Sequence, residues 1–404
     1  MLKSLEIRLE ALWELGRNLV LGWCLRKDGI DVLVLPHYDL GHVEHLRADA
    51  RSDADGFYRA LLTGPKRISV RDLRRAERAL DCISSHIPLP GLAHLRGRKH
   101  LTALEQAIGR YGVSYFQSRA VALFDIVGFS KLSAFERLAQ LNSLVYSCNA
   151  AQSKFSQRSS RFDFATSPTG DGFYVWNRDE GVHANTDLYS YVHLILADNA
   201  LARQRTGARS DGAPLLKTAF YIDSYYEFFH SQGLRPSSFT FVVGDVTIAL
   251  ARMIDRAVPG QILIGDFKRG DRDGADASHL DTMQFIDEVQ PRASMLKGLK
   301  LSGQEVEDIR CYLTGHRLSH DTFTTRRFKL TDKHGYERVV YNAKVNIHRR
   351  HASPIFLGLP DAKLTTFEQQ SNVEALAPDS VCTVVAAKAT DTRLGAPLYP
   401  LQVL

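Results

Sequence analysis

Two aspartates sit where an acid is costly, and they point to one kind of chemistry. The stretch Ala120-Val-Ala-Leu-Phe124 is an apolar run of strand length, and Asp125 follows it directly. A carboxylate at the end of a buried strand loses hydration unless a cation or hydrogen bonds replace it, so the position suggests a metal ion. Behind it, Ile126-Val127-Gly128-Phe129-Ser130 leads into a helix-compatible segment from Lys131. Gly128 lets the backbone approach a ligand, and N–H groups at a helix start face an anion. Acid, glycine turn and helix start together suggest a metal-bound phosphate. The plainer reading makes Asp125 a strand terminator or a helix cap.

The second acid is Asp171, in the turn Thr169-Gly170-Asp171-Gly172 that opens the β-forming run Phe173-Tyr-Val-Trp176. Asp beside Gly is the usual furniture of a hairpin turn. The interval between the two acids has room for one helix and one strand, however, so both can meet at the ends of adjacent strands. Two bare carboxylates at that range repel, and one is driven to keep its proton. Divalent cations remove the repulsion, and oxygen ligands beside phosphate suit Mg²⁺ or Mn²⁺.

The elements that must hold these acids lie between residues 113 and 320, where strand-like and helix-like segments alternate, the pattern of an α/β (α+β) domain. A helix through Leu132, Phe135, Leu138, Leu141 and Val145 follows Asp125, and another runs from Leu188 to Arg205. A strand is expected around Lys217 to Ile222. Phe239-Thr-Phe241-Val-Val-Gly244 reads as a strand and glycine turn before a helix that carries Arg252, with Pro259-Gly-Gln-Ile-Leu-Ile264 after it. Taken alone, Arg252 reads as a surface or salt-bridged arginine. Met295-Leu-Lys297-Gly-Leu-Lys300 and the strand-like Ile309 to Gly315 close the domain.

Residues 1–112 read as a mainly helical region, with Leu2, Leu5, Leu9, Leu12, Trp13 and Val20 giving an apolar face. Ser69 is a candidate N-cap for a helix carrying Val70, Leu73, Leu80 and Ile83. Leu101, Leu104, Ile108 and Tyr111 form a short heptad-like stripe, either facing a core or pairing with a second copy of the chain. Residues 321–404 form a C-terminal extension. Within it, Arg326 to Ile347 reads as a long β-hairpin turning at Asp332 to Gly335, where Lys333 and His334 are a solvated turn or a phosphate contact.

The chain has 404 residues and a net charge of +6. Its basic residues are dispersed except for patches such as Arg71 to Arg75, which read as a solvated face, and no nucleic-acid partner is expected. A basic balance also suits a polyanionic nucleotide. The five cysteines are odd in number and form no CxxC pair, which argues against a disulfide framework or zinc knuckle and fits a reducing cytoplasm. The longest apolar runs, Leu19 to Trp23 and Val32 to Leu35, fall far short of a membrane span of about 20 residues. Lys3, Glu6 and Arg8 do not read as a secretory signal.

Four motifs occur in order: Leu123-Phe-Asp125-Ile-Val-Gly-Phe-Ser130; Gly170-Asp171-Gly172; Gly244 to Met253 with Pro259 to Leu263; and Lys297-Gly298 before Cys311-Tyr-Leu-Thr-Gly315. As a set, spanning about half the chain, they resemble the catalytic domain of the class III nucleotide cyclases. The resemblance implies a ferredoxin-like core working as a head-to-tail homodimer, with active sites at the interface. It implies that Asp125 and Asp171, with the Ile126 carbonyl, hold two Mn²⁺ or Mg²⁺ ions, while N–H groups from Val127 to Ser130 cradle phosphate. Arg252 matches the family's transition-state arginine, supplied by the partner subunit. Lys297, or in second place Lys300, matches its triphosphate-binding lysine.

Three departures stand out. Ile248 occupies the position of the family's ribose-orienting asparagine, and Thr247 beside it is the nearest replacement. At the base-reading positions the chain has Ser167, where adenylate cyclases carry Lys and guanylate cyclases Glu, and Phe241, where an Asp or similar polar group is expected. A hydroxyl and an aromatic ring could suit a pyrimidine. The pattern is most similar to the pyrimidine cyclases, which make cyclic CMP or cyclic UMP as an alarm in bacterial antiphage defence. Two alternatives stand: a catalytically silent cyclase-like domain, or an adenylate or guanylate cyclase with atypical base recognition.

Overall fold

The structure, a computed structural model, describes residues 2–39, 41, 61, 66–90, 98–179, 181–207, 212–232, 235–269, 280–315, 317–319 and 322–383. Among the described residues of the N-terminal region, helices are joined by a small sheet that the sequence reading did not anticipate. Helix α1 (Leu2–Trp13) is followed by the antiparallel strands β1 (Asn18–Leu25) and β2 (Gly29–Pro36); after α2 (Val70–Ala79), strand β3 (Ser85–Pro88) pairs with β2. The two short apolar runs are strands because Lys27-Asp28-Gly29 folds one back on the other. Their two faces bury different partners, α1 and α3 (Arg98–Gly109) on one side and α2 on the other. Leu104, Ile108 and Tyr111 are therefore core residues packed with α1, not a seam for a second copy. Ser69 accepts from Asp72 N–H at 3.0 Å as the expected cap, but α2 stops before Ile83, which is exposed.

The larger sheet contains β4 (Val113–Ile126), β5 (Phe164–Pro168), β6 (Gly172–Asn177), β7 (Leu216–Gln232), β8 (Arg235–Val243) and β9 (Ile262–Gly265). It continues through β10 (Lys300–Leu301), β11 (Gln304–Thr314), β12 (Thr322–Thr331), β13 (Glu337–Arg349), β14 (Ala352–Gly358) and β15 (Val373–Thr383). The path runs β10-β11-β13-β9-β7-β4-β6-β5, with β8 beside β7, β12 and β14 beside β13, and β15 beside β12. The hairpin read from Arg326 to Ile347 is present, as β12 and β13. Its second strand lies inside the sheet, pairing β11 on one side and β9 on the other, so the sheet does not end at residue 320. Residues 384–404 of the expected extension lie outside the described residues.

Both faces of this α/β sheet are covered. Helices α4 (Ala134–Phe155), α5 (Ala184–Thr206) and α7 (Thr282–Ala293) pack on one face. Helix α6 (Asp245–Arg256) and α8 (Asp361–Glu368) pack on the other. The apolar face of α4 differs from the expected one. Leu144, Cys148, Ala151 and Phe155 are buried, while Phe135 and Leu138 in the first turns are exposed, because only the later turns of the helix reach the sheet and α5.

Candidate active site

The pleat of β4 decides where the first acid points. Ala120, Ala122, Phe124 and Ile126 face the α4–α5–α7 core, and Val121 and Leu123 face the α6 side, so Asp125 follows the second set. On one flank β6 brings Gly172 opposite Asp125, and on the other β7 brings Lys217 opposite it. Asp171 directly precedes β6. Its carbonyl accepts from Ile126 N–H at 3.0 Å, and Thr169 N–H donates to Gly172 O at 3.0 Å, which closes the turn and fixes the second acid beside the first.

Gly172 is required here by space. A Cβ at this position would lie 1.8 Å from the Phe124 carbonyl oxygen. Gly172→Ala must push β6 off β4 directly beneath the acid pair. We expect a loss of about 2 kcal/mol or more in folding stability, read by urea unfolding, because neither flanking backbone can yield without breaking ladder bonds.

The electrostatics follow from the geometry. Burial, then the negative charge of Asp171, pushes the Asp125 carboxyl up to about 6, with a hydrogen bond to Asp171 and the charge of Asp255 adding to the rise and Lys217 opposing it. Two partly buried carboxylates held side by side form a donor set suited to a hard divalent cation. Among the described residues no cluster of three or more His, Cys, Asp or Glu side chains forms a metal site. Further ligands would have to be a backbone carbonyl such as that of Ile126, substrate oxygens and water.

The loop after Asp125 is organised differently from expectation. Val127 N–H donates to Leu215 O at 2.9 Å, so it is not available to a phosphate. Helix α4 begins at Ala134, and its start is closed by a capping box in which Glu136 N–H donates to Ser133 Oγ at 3.3 Å and Ser133 N–H donates to the Glu136 carboxylate at 2.7 Å. Between Asp125 and that helix lies a short 3₁₀ turn, Phe129–Lys131, entered through Gly128 at φ 72° and closed by Lys131 N–H donating to Gly128 O at 2.9 Å. Arg137 donates to the carbonyls of Phe129 (3.2 Å) and Ser130 (2.9 Å), which holds the opposite side of this loop.

Arg252 and Lys297 each pair with an acid other than Asp125 and Asp171. The apolar stripe of α6, Val246, Ala249, Leu250, Met253 and Ile254, is buried, which turns Arg252 outward. There its Nε lies 3.0 Å from Asp332 Oδ2 and its guanidinium lies 4.8 Å from the centre of the Tyr336 ring. Lys297 pairs with Asp308 at 3.1 Å, and its carbonyl accepts from Arg158 Nη2 at 2.9 Å. Ile248 is exposed on the first turns of α6. The Thr247 hydroxyl donates to Gly244 O at 2.8 Å, so its proton is already engaged at the helix start.

Ser167, on β5, is 3% exposed. Phe241, on β8, is partly exposed and stacks on Phe228 with ring centres 5.7 Å apart. Lys217, Asp255, Arg137, Asp332 and Tyr336 were not singled out by sequence for the roles their contacts give them. For Lys217 the signal lay only in its register against Asp125; its Nζ also donates to Ile254 O at 3.4 Å.

No protein-family model matches the sequence, and no characterised protein matches it closely enough to count as a relative. Among solved structures, the guanylate cyclase domain of RhGC from Catenaria anguillulae in complex with GTP is 16% identical, over 59% of this chain and 99% of that one, with a TM-score of 0.33. The adenylyl cyclase CyaB from P. aeruginosa is 15% identical, over 60% of this chain and 99% of that one, with a TM-score of 0.35. Likenesses at this level do not decide function. No helix of the described residues is long and apolar enough to cross a membrane.

Proposed function

We propose that this chain is a nucleotide cyclase that converts a pyrimidine nucleoside triphosphate, UTP or CTP, to its 3′,5′-cyclic monophosphate and pyrophosphate. The observation that carries the reading is the pairing of Asp125 and Asp171 at adjacent strand ends, beside a glycine-entered turn. In the reaction the ribose 3′-oxygen bonds to the α-phosphorus, the bond from that phosphorus to the bridging oxygen breaks, and pyrophosphate leaves while the 3′-hydroxyl proton passes to solvent. Two Mn²⁺ or Mg²⁺ ions, when bound, would make the 3′-hydroxyl more acidic and neutralise triphosphate charge.

Asp125 and Asp171, with the Ile126 carbonyl, would hold those ions, and the N–H groups of Gly128 to Ser130 would receive phosphate oxygens. Arg252, supplied by the partner subunit of a homodimer, would meet the charge that develops on the phosphate in the transition state. Exposed apolar side chains support such an assembly: Phe239 and Val243 on β8, Ile248 on α6, and Phe135 and Leu138 on α4. Lys297 would reach the triphosphate after leaving Asp308. The Ser167 hydroxyl and the Phe241 ring support a base with one polar edge and a small ring. On its resemblance to the pyrimidine cyclases, the product would act as a second messenger in antiviral defence.

Ile248 supports a second reading, a silent nucleotide-binding domain, because its side chain supplies no donor and the Thr247 hydroxyl beside it is engaged with Gly244 O. Competition separates the two. With equimolar ATP, GTP, CTP and UTP and Mn²⁺, mass spectrometry is expected to find a cyclic pyrimidine nucleotide in excess over any cyclic purine. A cyclic purine as main product overturns the base reading, and the absence of any cyclic product leaves the silent domain.

A further inference from the structure

We infer that Asp332 and Tyr336, in the turn between β12 and β13, are positioning residues that orient Arg252 for the reaction proposed above, on which this inference rests. A guanidinium offers two different edges. Asp332 Oδ2 sits at 3.0 Å from Nε, at the stem side, and the guanidinium carbon lies over the Tyr336 ring, 4.8 Å from its centre. Among the described residues the guanidinium has no other partner, so its two terminal nitrogens are left for an anion.

The clamp is itself held. The other oxygen of Asp332 accepts from the N–H groups of His334 at 2.8 Å and Tyr336 at 3.0 Å. Asp332 N–H donates to Tyr336 O at 3.0 Å and Gly335 N–H to Asp332 O at 3.1 Å, with Gly335 at φ 81° completing the turn. This turn is carried by β13, which is fixed inside the sheet by Val340 opposite Gly265 and Tyr341 opposite Ile264. A hairpin tip anchored at the sheet centre is a rigid base, and the pair lies in a partly enclosed cleft also lined by Arg256 and Arg338. An arginine held at its stem by a carboxylate and over a ring is arranged to present its terminal nitrogens to a phosphate.

The test is a mutant cycle on the full chain, with cyclic product read by mass spectrometry. Asn at position 332 keeps an oxygen for the two turn N–H groups and removes the charge at Nε, so Asp332→Asn is expected to fold normally. It should lower kcat by about tenfold or more with little change in KM, and Asp332→Glu should recover part of the loss. Tyr336→Phe should be neutral and Tyr336→Leu should resemble Asp332→Asn. In an Arg252→Ala background, Asp332→Asn should cost nothing further.

An equal loss in both backgrounds, or an Asp332→Asn chain with unchanged kcat, overturns the inference while leaving the cyclase reading intact. A rise in kcat also overturns it, by making the contact a sequestration of Arg252. A wild-type chain with no cyclic product overturns the parent reading and this one with it, whereas full activity in Arg252→Ala overturns the role of Arg252 and this inference and leaves the cyclase reading standing.

Discussion

Asp125→Asn is expected to lower cyclisation by roughly a thousandfold or more, while leaving the metal-free chain at least as stable as the wild type. The two results come from one cause. In the wild type, burial and the neighbouring Asp171 charge make the ionised Asp125 costly, so its carboxyl is pushed up to about 6. A neutral amide of the same shape removes that repulsion and keeps the strand packing. The cation that the pair would hold is lost with the charge. Thermal unfolding gives the check: Mn²⁺ should raise the wild-type Tm by a few degrees and leave Asp125→Asn unmoved. A residue that merely ended a strand or capped a helix would give no such metal response.

Arg252→Ala is expected to reduce kcat by about a hundredfold to a thousandfold with KM little changed, because the charge it meets exists only in the transition state. The fold should tolerate the change. The Asp332 partner keeps its turn hydrogen bonds, and a partly exposed ion pair contributes only about 1 kcal/mol or less. The same variant tests assembly. If Arg252 acts on the partner's acids, Asp125→Asn and Arg252→Ala chains are each inactive alone but rebuild one whole site per mixed dimer. With random exchange, half the dimers are mixed and carry one of two sites, so mixing should restore about a quarter of wild-type activity. A shared site within one chain would restore none.

The acid pair was legible in the sequence because its signals are local: an apolar run broken by one acid, a Gly-Asp-Gly turn, and a helix-and-strand interval between them. The β12–β13 hairpin and the helix after Gly244 were legible for the same reason, since alternation and turn signals are written within each segment. The N-terminal strands were not, because a short apolar run such as Leu19 to Trp23 satisfies either a helix face or a buried strand until its partner is known.

What failed at the site failed through pairing at a distance. Lys217 stands opposite Asp125 only by the register of β7 on β4, and Val127 N–H is taken by Leu215, which the sequence leaves far away. Ser133 and Glu136 formed a readable capping box that moves the α4 start past the loop. Asp332 and Tyr336 reach Arg252 through a hairpin whose place in the sheet no local pattern records.

The most direct measurement is a balanced product assay. Purified chain is given UTP or CTP with Mn²⁺, and cyclic nucleotide and pyrophosphate are quantified together, beside Asp125→Asn and Asp171→Asn. The expected result is one pyrophosphate for each 3′,5′-cyclic pyrimidine nucleotide, lost in both variants. Hydrolysis products with no cyclic nucleotide, or a cyclic product that survives loss of either acid, would contradict the account.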